Sequence, residues 1–102
     1  KMLYEGILRF ASQAKRSMEE NDIEKKTYWI NRTTAIFSEL LNSLNYDGGQ
    51  IAHYLSGLYV HQIKLLTEAN IYNDASKIDE VLNVTKELLQ VWKEETDVAV
   101  DE

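Results

Sequence analysis

Only a few side chains in this sequence are of a type that does chemistry. There are two histidines, 17 aspartates and glutamates against 11 lysines and arginines, and no cysteine. Without cysteine there is no disulfide scaffold, no thiolate nucleophile and no Cys-based zinc site. A carboxylate-rich helical chain could hold two iron ions, which needs Glu-x-x-His on two helices and a carboxylate from each of two others. The residues three before His53 and His61 are Gln50 and Leu58, so that motif fails at both histidines. The histidines lie about two helical turns apart, too far to share one metal. No glycine-rich phosphate loop, Ser-His-Asp set or pair of carboxylates on an apolar face is present. The sequence therefore predicts a non-enzymatic protein with no metal site and no cofactor.

The elements that would position any function are all helical. Turn residues cluster at Asn21-Asp22, at Asn45-Tyr46-Asp47-Gly48-Gly49 and at Asn70-Ile71-Tyr72-Asn73-Asp74. Asx and Gly residues start and stop helices because their side chains or backbone freedom satisfy orphan amides and carbonyls. Between these clusters lie four segments with apolar steps of three and four. The stripes are Leu3, Ile7, Phe10, Ala14 and Met18; Ile23, Thr27, Ile30, Thr34, Phe37, Leu41 and Leu44; Ile51, Leu55, Leu58, Gln62, Leu65 and Ala69; and Ile78, Val81, Leu82, Thr85, Leu88, Leu89 and Trp92. Such spacing suits left-handed packing, and short turns make successive helices antiparallel. The expected fold is all-α, an antiparallel up-down four-helix bundle over residues 1–96, with an acidic, frayed tail at 97–102. Asp22 is expected to cap the second helix, and Asn73 or Asp74 the fourth, with a Ser76…Asp79 spacing as a further option. Gly48 and Gly49 are expected both to end the second helix and to free the backbone for entry into the third. Lys1-Met2-Leu3-Tyr4 is already periodic without a cap, so the first helix is expected to begin upstream.

One hundred and two residues make one domain. A net charge of −6 argues against nucleic acid, which demands a basic face. No apolar run approaches the roughly 18 residues of a membrane span and no signal peptide opens the chain, so a cytosolic location is expected. Lys15-Arg16 and Lys25-Lys26 read as solvated helix ends. Trp92 reads as core or near-core, sealing one end of the bundle. Six tyrosines and two tryptophans are many for a small bundle, and Tyr54 and Tyr59 widen the apolar arc of the third helix. That arc is either a helix buried by three neighbours or a groove for a partner segment. Gly6 and Gly57 sit inside helices, where glycine costs about 1 kcal/mol relative to alanine, so a close backbone approach is expected at each.

Two resemblances follow. His61-Gln62-Ile63-Lys64 resembles the core of a histidine phosphotransfer domain, in which a solvent-facing histidine accepts phosphate beside a lysine one turn on; Leu65-Leu66 then replace the small residue usual in that family. The plain alternative is a surface histidine beside a lysine. More extensively, Met2-Leu3-Tyr4-Glu5-Gly6-Ile7-Leu8-Arg9-Phe10 resembles the opening helix of the FliS family of flagellar secretion chaperones. The likeness runs through Asp22-Ile23, Ile36-Phe37-Ser38-Glu39-Leu40, Ser43-Leu44 and Gly48-Gly49-Gln50-Ile51-Ala52. It resumes at Leu55, Leu58-Tyr59, Leu66, Ala69-Asn70, Asp74, Ile78, Val81, Leu88 and Trp92.

That resemblance implies a cytosolic export chaperone that binds the C-terminal segment of flagellin, prevents premature polymerisation and delivers the subunit to the flagellar type III export gate. A co-chaperone on a second face is compatible with it. The residues expected to bind flagellin combine a motif match with a place at the margin of an apolar stripe: Leu3, Ile7, Phe10, Ile51, Tyr54, Leu55, Leu58, Tyr59, Leu66 and Asn70. Two departures from the family stand out. Relatives carry a further segment before the opening helix, and Val60-His61-Gln62-Ile63-Lys64 replaces an aromatic with paired basic residues.

Overall fold

The computed structural model describes the backbone of residues 2–101 and side chains as far as Lys93. Four helices follow one another: α1 (Met2–Glu19), α2 (Ile23–Asn42), α3 (Gln50–Tyr72) and α4 (Ala75–Asp101), with a single 3₁₀ turn at Tyr46–Gly48 before α3. Helix α1 packs on α2 and α4, and α3 packs on α2 and α4, so the four helices form a ring with α1 and α3 diagonal. This is the expected four-helix bundle.

The caps show why these residues break the chain where they do. Asn21 adopts a left-handed conformation (φ 58°), and Asp22 N–H then reaches back to the Ser17 carbonyl at 2.9 Å while Asn21 N–H bonds Met18. Asn73 (φ 52°) does the same for α3, sending Asp74 N–H to the Ala69 carbonyl at 3.1 Å. Asparagine thus takes the place that glycine usually holds in this motif, since its short polar side chain tolerates a positive φ. Asp22 caps α2 by accepting from Lys25 N–H at 3.1 Å. Asp74 caps α4 by accepting from the Ser76 amide and hydroxyl, and Ser76 itself has no capping role toward Asp79 in these bonds.

Two boundary expectations need correction. Helix α2 stops at Asn42, where the Ser43 amide and hydroxyl turn back to the Glu39 carbonyl, well before Gly48 and Gly49. Gly49, at φ 86°, opens α3, which is the other half of that expectation. Asn70, Ile71 and Tyr72 belong to α3 and not to a connection. At the other end α4 keeps a helical backbone through Asp101; the side chains of the acidic stretch lie outside those described.

The core is built from the stripes. Tyr4, Ile7, Ala11, Ala14 and Met18 of α1 meet Ile30 and Phe37 of α2, Tyr59, Leu65, Leu66 and Ala69 of α3, and Ile78 and Val81 of α4. Phe37 and Tyr59 set the α2–α3 register, with ring centroids 6.0 Å apart. Polar side chains enter this core too. The Thr33 and Thr85 hydroxyls donate to carbonyls four residues back, which makes them self-sufficient, whereas the Gln62 Oε1 is buried without a partner. Trp92, read as core or near-core sealing the bundle, is 40% exposed about two-thirds of the way along α4 instead. Lys26 reverses its expectation in the other direction. Only 7% exposed, it donates to the Asn70 carbonyl at 3.2 Å and to the Asn73 Oδ1 at 3.3 Å, tying the start of α2 to the end of α3.

Candidate binding surface

Helix α3 carries most of the residues singled out for binding, and its burial pattern sorts them. Ile51 and Tyr54 stand 62% and 64% exposed, and Leu55 and Leu58 are half-buried on the adjoining margin. Tyr59 is only 2% exposed and Leu66 is fully buried, so neither lines a groove. The reason is register: Tyr59 faces Phe37 of α2, and its hydroxyl lies 2.6 Å from that of Tyr4 on the diagonal helix. Burial and that bond hold the Tyr59 hydroxyl protonated well above the ordinary tyrosine range. Asn70 is half-buried and occupied locally, accepting Lys26 on its carbonyl and the Thr27 hydroxyl on Oδ1 at 3.5 Å.

On α1, Ile7 is fully buried, while Leu3 and Phe10 are half-buried. Phe10 packs against Trp29 of α2 with centroids 5.4 Å apart. Because α1 and α3 are diagonal, the ten residues do not form one patch. The bundle instead places Ile51, Tyr54, Leu55 and Leu58 along one side of α3, and Phe10 on the α1–α2 side.

The two helix-interior glycines separate cleanly. A Cβ on Gly6 would meet the Ile36 Cδ1 at 3.1 Å, which accounts for glycine there by the approach of α2. A Cβ on Gly57 would meet nothing within 4 Å. The close approach expected there is not made by any described neighbour, and Gly57 lies exposed between Tyr54 and Val60, the latter 54% exposed. Val60 was not singled out by the sequence, because it falls off the apolar stripe. Its signal was the spacing of Tyr54, Gly57 and Val60, three residues apart on one helical face.

His61 and Lys64 are both exposed on α3 and have no hydrogen-bonding or ionic partner among the described residues. Among those residues no group of three metal-ligating side chains forms, and no helix is long and apolar enough to cross a membrane. The arrangement offers apolar contact surface more than reactive groups.

Comparison with known proteins agrees with that. A family model described as flagellar protein FliS matches residues 1–99. The chain is 56% identical over 94 residues to the flagellar secretion chaperone FliS of Campylobacter jejuni, covering 91% of this chain and 73% of that protein. It is 35% identical to flagellar secretion chaperone FliSB of Pseudomonas aeruginosa, covering 89% and 73%, and 32% identical to the FliS of Salmonella typhimurium, covering 91% and 70%. A family match over residues 1–99, with 56% identity to a curated member over 91% of the chain, shows that this chain belongs to the FliS family of flagellar secretion chaperones.

Proposed function

We propose that this chain is a cytoplasmic, non-catalytic export chaperone that binds the C-terminal segment of flagellin, keeps it from polymerising and hands it to the flagellar type III export apparatus. Membership of the family supports the reading, and so does one observation. The outer side of α3 exposes Tyr54 and Val60 on either side of a glycine that no described neighbour requires. A client laying apolar side chains there buries surface already costly to leave in water, and Gly57 lets its backbone come close. The half-buried Leu55 and Leu58 extend that contact, and Leu3, Phe10 and Asn70 are accessible to a segment that wraps further. Ile7, Tyr59 and Leu66 act through packing. A client that is unfolded alone orders on binding, so complex formation shows a negative heat-capacity change.

Calorimetric titration of this chain with a synthetic flagellin C-terminal peptide tests this. One-to-one binding between nanomolar and micromolar is expected, weakened by Tyr54→Ala with little change in thermal midpoint. Absence of binding at tens of micromolar overturns the reading. Phosphotransfer through His61 predicts acid-labile phosphate after incubation with a sensor kinase; membership of the chaperone family makes none the expected result.

A further inference from the structure

The α1–α2 side of the bundle carries a second feature that does not depend on the flagellin reading. A groove of about 500 Å³ is lined by Phe10, Tyr28, Asn31, Arg32, Ala35, Ile36 and Glu39. Trp29, outside the lining itself, packs against both of its rings, with centroids 5.4 Å from Phe10 and 4.9 Å from Tyr28. Two guanidiniums stand over the Phe10 ring, Arg32 at 4.8 Å and Arg9 at 5.7 Å from its centroid. Arg32 is fixed further by a 3.1 Å bond to the Tyr28 hydroxyl and by the Tyr28 ring.

Neither arginine makes an ion pair among the described residues, although the chain carries 17 carboxylates. A guanidinium presents five N–H donors, and Arg32 spends one of them on Tyr28. Stacking on rings holds such a fork in place in advance, which lowers the entropy lost when it takes a carboxylate. Glu39, also in the lining, lies about two helical turns beyond Arg32 on α2. The net charge of −6 repels an extended polyanion such as nucleic acid or an anionic bilayer, but a short segment meets only the local pair of cations.

We infer that this groove is a docking site for an acidic segment of a partner protein. The segment sets a carboxylate against Arg9 and Arg32 and an apolar side chain against Phe10, Tyr28 and Ile36. Charge complementarity selects this occupant over a purely apolar one, for which two unpaired guanidiniums at the rim would be a desolvation cost.

Trp29 supplies the readout. In a Trp92→Phe background its emission is followed while adding a short acetylated, amidated peptide that carries glutamates beside a leucine and a phenylalanine. The expected result is a saturable shift, about tenfold weaker for the glutamine counterpart of that peptide and for Arg32→Gln, the size of losing one charge-assisted pair. Raising the salt concentration weakens the glutamate peptide alone. Arg32 is exposed, so an unchanged thermal midpoint verifies that Arg32→Gln is folded. No saturable shift, or equal affinity for the two peptides, overturns the inference.

Discussion

The Tyr4–Tyr59 hydroxyl pair shows how far a single residue's role depends on its depth. Both residues fall in motifs legible in the sequence, and Tyr59 was expected at a groove margin because it flanks the apolar stripe of α3. The structure buries it against Phe37 and closes its hydroxyl onto Tyr4 across the diagonal of the bundle. A periodic pattern gives a direction around one helix; it cannot say which of two flanking directions a neighbouring helix will cover. Tyr4→Phe leaves the Tyr59 hydroxyl buried without this partner, and should cost about 1–3 kcal/mol in urea unfolding. The double variant Tyr4→Phe/Tyr59→Phe should lose less than the sum of the singles, because neither orphan is left. Strict additivity would mean that the two hydroxyls act independently.

At the level of elements, α3 joins a packed face to an unpartnered one. Gly6 and Gly57 look alike in sequence, yet only Gly6 is explained by a neighbour. Gly57→Ala should therefore stabilise the free bundle by about 0.5–1 kcal/mol, seen as a higher urea midpoint, because it removes unfolded-state freedom without a clash. Its effect on client affinity should be the reverse if a backbone docks there. The link between α2 and α3 is made by Lys26, whose ammonium serves carbonyl oxygen at a helix C-terminus, where cations are favoured. Lys26→Met keeps the aliphatic stem and removes those bonds, and should lower stability by about 1 kcal/mol. A midpoint equal to wild type would show that water satisfies the Asn70 carbonyl as well.

For the whole molecule, the ionisable groups bound the pH range of stability from both sides. Asp74, hydrogen-bonded as the cap of α4, is held below its ordinary value. Its contribution is present above the unfolded carboxylate pKa, about 3.9, and is lost as pH falls through the folded value. Tyr59 is held above its ordinary value by burial, and Lys15 by its 2.8 Å bond to Asp79. Both contributions are complete below the unfolded values near pH 10 and decline as pH rises beyond them. Urea midpoints measured across pH should form a plateau with an acid and an alkaline limb. Asp74→Asn should flatten the acid limb and Tyr59→Phe the alkaline one. An alkaline limb unchanged by Tyr59→Phe would assign it to other groups.

The sequence by itself determined the four helices, the Asx breaks between them and the family, because apolar spacing, capping and ordered motifs are local properties of the chain. The chain has no proline, and its turns need none, since Asn21 and Asn73 turn the chain with left-handed backbones of their own. Only the tertiary structure decided which flanking residues are surface. Tyr59 and Lys26 went inward, Trp92 and Gly57 outward, and Phe10 came to lie beneath Arg32. These outcomes depend on which helices are adjacent and which diagonal, on register, and on contacts between residues far apart in sequence, and none of these is written in the period of a single helix.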